Sequence, residues 1–451
     1  MGCFVTGPNR TLVVGGGISG LFAARIAAEQ GDDVVLIEQA DVVGGLLRSH
    51  TIGSGHTFDI GTHFLVQTGI PEANELLFED LRPDDCYRFS DSLKEGNYFN
   101  GVLNQESGSI DTRTLPPDIH ARGLSEILNA VSDETEFANL DAYLCATYGP
   151  TFAHHVYRPV LQALTGMDLV DLHQTAHLTF LITRLIVLGS FASLEIKKSD
   201  HFDAKIAWAK NSDGRSNIEK LYPKFGGVGA WVSGLEDRCR KMGVEIVTGQ
   251  KIVSFERADG YISDVVLDDD RVLPVDRLVW TVPPALFLKT AGIPFDSAPP
   301  NFRTVGIIDF VFDKEFQTDR HFICCYDPEM IPFRITLYPN IPAGTRAPPP
   351  HHLTVEVLTD SDDIEGLVPR AAADLQMMGI VPANAKILYS GVSAVRPGWP
   401  IITNDFANNA DEILSLAQEN GWNVTFAGRG KGANAHFMNE ILEGVFMTLS
   451  S

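Results

Sequence analysis

Three glycines and one acid near the start of the chain have the types and spacing to hold a dinucleotide. Gly15, Gly17 and Gly20 close the apolar run Thr11-Leu-Val-Val14 and open an alanine-rich stretch that begins at Ile18-Ser19. Gly15 permits a tight turn, Gly17 lets backbone approach a pyrophosphate, and Gly20 lets helix and strand pack closely. The helix N-terminus then offers free N–H groups and positive dipole to the phosphates. A second apolar run, Val34-Val-Leu-Ile37, ends in Glu38-Gln39; there a carboxylate accepts hydrogen bonds from a ribose. Another glycine turn comes late, in Phe426-Ala-Gly428-Arg429-Gly430, ahead of Ala435, Phe437 and Met438. A strand feeding a glycine turn and a helix N-terminus is again an anion cradle. Two further residues suit chemistry. His63 has the side chain of a general base, or of a hydrogen-bonding group that shapes a site. Arg334 lies in the apolar run Pro332-Phe-Arg-Ile-Thr-Leu337; it needs an anionic partner, either a substrate phosphate or an internal carboxylate.

The elements that position these residues read as a strand–turn–helix–strand unit with an extension. Val43-Gly44-Gly45-Leu46-Leu-Arg48 and Phe58-Asp-Ile-Gly61-Thr62-His63 follow the second strand. Nicotinamide enzymes do not need this extension; FAD enzymes of the glutathione-reductase type do. The fold class expected is α/β, a Rossmann-type FAD-binding domain interleaved with a mixed α+β substrate-binding domain. Segments 1–75, 216–298 and 386–451 are assigned to the first, and 76–215 and 299–385 to the second. Helical patterns fall at 124–131, 140–148, 152–188, 231–242, 410–418 and 435–449, and strands at 305–312, 333–338, 353–358 and 423–427.

These motifs resemble the superfamily of FAD-dependent amine oxidases, protoporphyrinogen oxidases, phytoene desaturases and UDP-galactopyranose mutases. The resemblance implies non-covalent FAD, with Gly44, Gly45, Leu46 and Arg48 along its pyrophosphate and flavin. It places Gly61, Thr62 and His63 beside the flavin, and Ile252 and the Pro223-Lys-Phe-Gly-Gly-Val-Gly229 region near the cofactor. Gly428-Arg429 is closest to the mutase branch, where the arginine contacts the FAD pyrophosphate. Tyr157, Arg334 and Trp399 match substrate positions. The small, polar Gly430-Lys-Gly-Ala-Asn434 and Phe64-Leu-Val-Gln67 depart from the mutase pattern. An oxidoreductase that moves hydride to flavin N5 is therefore expected first, a non-redox nucleotide-sugar mutase second, and a non-catalytic flavin scaffold third. The substrate expected is a small molecule, with an anionic or nucleotide-linked one among the options.

A net charge of −23 over 451 residues argues against nucleic acid and anionic membranes as partners. No apolar stretch reaches membrane-spanning length, and no secretory leader is read before the first strand, so a cytoplasmic protein is expected. The six cysteines show no metal spacing. The pairs His154-His155 and His351-His352 lack a third ligand nearby in sequence, so no metal is expected. Met1-Gly-Cys-Phe-Val-Thr6 matches a myristoylation pattern formally and is read as a short leader.

Overall fold

The computed structural model describes residues 9–89, 93–130, 135–208, 219–295, 301–342, 347–431 and 437–450. The myristoylation-like hexapeptide and Ala435 lie outside them.

The first layer is a five-stranded parallel sheet. Its strands are β1 (Arg10–Val14), β2 (Asp33–Ile37), β3 (Glu245–Val247), β4 (Arg277–Trp280) and β5 (Val424–Phe426), in the spatial order β3-β2-β1-β4-β5. β1 and β2 are nearly continuous apolar runs because both faces of a parallel sheet are covered. On one face lies α1 (Ile18–Glu29), whose Ala23, Ala24 and Ala27 are small enough to bring it close; Trp231, Leu235, Leu442 and Val445 of two later helices join the same core. On the other face Leu12, Val35 and Ile37 pack against Ile262, Val265 and Leu267 of an antiparallel three-stranded meander. Every strand of a parallel sheet ends at the same edge. Gly15, Glu38, Thr281 and Ala427, each just past a strand, are therefore neighbours although the chain separates them widely. The strand order reverses between β1 and β4, where doubly wound sheets bind ligands.

The second layer is a seven-stranded sheet, in the order Ile387–Pro400, Phe302–Phe312, His351–Thr359, Pro332–Leu337, Phe322–Cys325, Glu95–Phe99 and Val102–Asn104. Strand alternation sorts its side chains. Ile308, Phe310, Ile335, Val355 and Val357 face a core completed by Ala371 and Leu375 of the helix Val368–Met377. Asp309, Arg334, Thr336, Thr354 and Glu356 fall at the alternate positions. Register pairs Arg334 with Glu356, Thr336 with Thr354, and Thr354 with Asp309.

Two sequence expectations need correction here. The strand Ile387–Pro400 pairs with Phe302–Phe312 over most of its length, so it belongs to the seven-stranded sheet; the chain returns to the first sheet after residue 400, not at 386. The helical pattern at 152–188 ends at Thr165, because Gly166 turns into the left-handed region at φ +74°, and the later part holds the strand Leu185–Ile186. Among the described residues no helix is long and apolar enough to cross a membrane.

Candidate functional site

The glycine turns carry out the tasks their spacing assigns. Gly15 has φ +99°. A side chain on Gly20 would sit 1.7 Å from the Gly15 carbonyl oxygen, so only glycine lets α1 start this close to β1. Gly17 caps α1, and a Cβ there would meet nothing within 4 Å, which leaves its backbone open. Gly44 and Gly45 also have positive φ, and a Cβ on Gly45 would lie 3.4 Å from Gly17 Cα. On the far side a Cβ on Gly428, at φ +62°, would lie 2.8 Å from Ser19 Cβ. Three turns from distant parts of the chain thus meet over the start of α1, beside Ile18 and Ser19.

Glu38 spans this cradle. Gly16 N donates to its Oε2 at 2.6 Å and Ala40 N to its Oε1 at 2.8 Å, while Gln39 is exposed. Arg48 Nε donates to the Gly45 carbonyl at 2.8 Å, and Leu46 is exposed. Arg429 follows Gly428 and has no hydrogen-bond or ion-pair partner among the described residues. Its guanidinium reaches solvent, yet surrounding protein displaces enough water to lower its pKa. Phe437 is exposed, Met438 packs against the first core, and Ile252 is buried with Val247 beneath the sheet edge. The Gly227–Gly229 turn approaches Ser49 and Asp59 closely and so supports the extension.

The polar face of the second sheet meets the extension at Gly61-Thr62-His63. Glu356 is buried; its Oε1 accepts from Thr62 N at 2.7 Å and its Oε2 from Arg334 Nη2 at 2.5 Å. Gly61 is required here, since a Cβ would lie 2.9 Å from the Glu356 carboxyl carbon. The anion that meets Arg334 is therefore this internal carboxylate, which decides between the two partners left open by the sequence. Burial by itself raises the Glu356 carboxyl; Arg334 reverses this and leaves it below its ordinary value. Arg334 also lies 5.1 Å from the Trp399 ring centroid. Its Nε and the Trp399 Nε1 are buried without hydrogen-bond partners among the described residues. Sequence reasoning missed Glu356, whose position in Val355-Glu-Val357 was the available signal.

Two roles were open for His63, general base and hydrogen-bonding group, and the structure gives it a hydrogen bond. Its Nε2 lies 3.0 Å from the Ile60 carbonyl. A carbonyl only accepts, so Nε2 carries the proton and Nδ1 is an acceptor. Burial pushes the His63 pKa down to about 4, and nearby Arg334 and Arg429 act the same way against Glu356. The imidazole is neutral at neutral pH and holds a hydrogen bond rather than taking up a proton.

A buried network beneath the site joins the layers. Asp59 accepts from Ser49 Oγ (2.6 Å), Tyr222 OH (2.7 Å) and Val228 N (3.0 Å), and its own N–H donates to Tyr338 OH at 2.9 Å. Tyr338 continues through Thr354 to Asp309, and His50 meets Asp309 at 3.2 Å. Burial raises Asp59 to about 6, against its three donors.

These shifts predict an acid-labile fold. His63, His321 and His352 are lowered to about 4, about 4 and about 3, in each case chiefly by burial. As pH falls from 6 to 4.5 the unfolded chain binds three imidazole protons that the folded chain refuses. The folded chain binds one at Asp59 that the unfolded chain refuses, which leaves two in favour of unfolding. Unfolding free energy is expected to fall by up to about 2.7 kcal/mol per pH unit in this window. Urea titrations at stepped pH measure it, and a flat profile contradicts the buried neutral histidines.

A separate cavity of about 260 Å³, lined by Val160, Leu164, Asp327, Phe333 and Thr359 among others, includes none of the predicted site residues.

Comparison with known proteins agrees with this architecture. Residues 13–80 match the NAD(P)-binding Rossmann-like domain family. An uncharacterised protein of Methanothermococcus thermolithotrophicus is 50% identical over 54 residues, 12% of this chain and 51% of that protein. The 4,4'-diaponeurosporene oxygenase of Staphylococcus haemolyticus is 25% identical over 280 residues, 60% of this chain and 54% of the oxygenase. The chain thus spans about half the length of the relatives it matches. Among solved structures, reduced UDP-galactopyranose mutase superposes with a TM-score of 0.75 at 15% identity, covering 99% of this chain and 94% of the mutase. Cyclohexylamine oxidase of Brevibacterium oxydans superposes with a TM-score of 0.63 at 14% identity, covering 98% of each chain. Residues 13–80 are thus a Rossmann-like domain, and the chain shares the overall fold of UDP-galactopyranose mutase and cyclohexylamine oxidase.

Proposed function

We propose that the chain binds FAD non-covalently and is an oxidoreductase that takes hydride from a small-molecule substrate. One observation carries this reading. Gly17, Gly45, Glu38 and Gly428 converge at one sheet edge, with nothing within 4 Å of a side chain at Gly17 and, alongside, an Arg429 that has no partner among the described residues. These residues fit a dinucleotide pyrophosphate and its ribose. When bound, FAD supplies a hydride acceptor at its ring. The N-terminus of α1 and Arg429 would hold the pyrophosphate, and Glu38 the ribose hydroxyls. Thr62 and His63 stand at the junction of the two layers. There Glu356 anchors the Thr62 backbone, and neutral His63 offers Nδ1 as a hydrogen-bond acceptor. Because Arg334 already has Glu356, the reading favours a neutral or cationic substrate over a phosphate-bearing one.

The test is direct. Purified protein is expected to be yellow and to hold about one FAD per chain. Glu38→Ala should weaken FAD by about 1.5–3 kcal/mol through lost charge-assisted hydrogen bonds. Colourless protein that ignores added FAD in a thermal-shift assay ends the reading. A second reading, a mutase acting on a nucleotide sugar without net redox, draws on the partnerless Arg334 Nε, a donor left for an anion. Anaerobic spectra against amines and nucleotide sugars separate the two. Bleaching by substrate supports the oxidoreductase, and turnover only after dithionite reduction supports the mutase.

A further inference from the structure

We infer that Asp141, Cys145 and His154 form a binding site for a zinc-class divalent cation, separate from the nucleotide cleft. Asp141 and Cys145 stand four residues apart on the helix Leu140–Tyr148 and so share a face. The chain reverses at Gly149, φ +86°, and enters a π-helical turn, Ala153–Tyr157, which carries His154. One possible ligand atom from each side chain lies within 4.8 Å of the other two. His154 Nε2 is 3.7 Å from Cys145 Sγ and 3.3 Å from Asp141 Oδ1. Bonds of about 2.0–2.3 Å to a tetrahedral ion set neighbouring N, O and S atoms roughly 3.3–3.6 Å apart, which matches this spacing.

The geometry also rejects the other use of a Cys–His–Asp set. In a nucleophile relay, cysteine and carboxylate engage opposite nitrogens of the imidazole. Here both converge on Nε2, as ligands around a common centre do. A bound cation would draw off the thiol proton to solvent and take the thiolate as ligand. Thiolate, imidazole and carboxylate together suit zinc better than calcium or magnesium. Arg158 donates to the same oxygen, Asp141 Oδ1, at 2.8 Å and contacts Asp168 at 3.0 Å, so it fixes the orientation of the carboxylate. The cysteine is half-buried and the histidine 44% exposed, so an ion can enter from solvent. The sequence expectation of no metal rested on the cysteine spacing and on histidine pairs without a third ligand nearby in sequence. The other two ligands lie 9 and 13 residues upstream of His154, a spacing with no motif behind it.

The test uses the full chain after chelator treatment. Zinc is titrated against a chromophoric indicator, and alkylation of Cys145 by iodoacetamide is followed by peptide mass spectrometry. One equivalent of zinc is expected, with Cys145 alkylation slowed about tenfold or more. Cobalt is expected to give a thiolate charge-transfer band with tetrahedral visible absorption, a readout that needs no variant. His154→Ala and Cys145→Ser should each lower zinc affinity by about tenfold or more, whereas His155→Ala should retain it. Flavin content and melting temperature report whether each variant is folded. Zinc that leaves Cys145 alkylation unchanged overturns the proposal. So does stoichiometric zinc binding that survives in folded Cys145→Ser, or a cobalt spectrum without a thiolate band.

Discussion

Glu356→Ala should lower the unfolding free energy by about 3–5 kcal/mol, the cost of leaving one half of a buried pair uncompensated. Glu356 is 2% exposed and faces both Arg334 and the Thr62 backbone, so its loss strands a cation and an amide at once. Arg334→Ala should cost a similar amount from the other side. The double variant Glu356→Leu/Arg334→Met should recover much of it, because replacing both partners by apolar groups removes the stranded charge. Chemical denaturation with bound flavin measures all three. If Arg334→Ala instead melts normally and loses only substrate-dependent turnover, the arginine is a substrate anchor. The mutase reading then gains.

Arg429→Ala should behave in the opposite way. Its guanidinium has no partner among the described residues, so its removal breaks no internal pair and stability of the flavin-free protein should stay unchanged. FAD affinity should fall by about 2–5 kcal/mol, roughly thirtyfold to several thousandfold, as a buried dianion loses its counter-charge. Arg429→Lys should recover part of the loss, since a point charge cannot reproduce the two-pronged geometry. Titrating apoprotein with FAD and following flavin fluorescence measures each Kd. If both variants bind FAD like the parent chain, the late glycine turn does not hold the pyrophosphate.

The contrast between these arginines marks what could be read from the sequence. The turn at Gly15–Gly20 was legible because its chemistry is local: six residues hold the tight turn, the open backbone and the close packing together. β1 and β2 were legible for a similar reason, since burial on both faces leaves an unbroken apolar run. The partner of Arg334 was not, because it depends on the register that sets Arg334 opposite Glu356 on a neighbouring strand. Asp59 escaped notice for the same reason: its carboxylate accepts from Ser49, Tyr222 and Val228, and its own N–H donates to the Tyr338 hydroxyl. The strand Ile387–Pro400 was assigned to the wrong layer because it is an edge. Much of it is exposed, its pattern mixes polar and apolar residues, and only pairing with Phe302–Phe312 reveals its place.

The strand order of the first sheet has a consequence for how the protein is made. β1, at residues 10–14, is synthesised long before one of its two neighbours, β4, which arrives only with residues 277–280. β5 and the Gly428 turn come later still. On the ribosome the nascent β1–α1–β2 unit therefore carries an unpaired, strongly apolar edge until residues 277–280 emerge, the kind of edge that recruits other strands. That edge is then covered by β4, and the cradle is complete only when the Gly428 turn closes over Ser19. Loading of a cofactor thus waits for the Gly428 turn, and a ribosome that stalls before β4 releases a product with an open sheet edge and no means of clasping a dinucleotide.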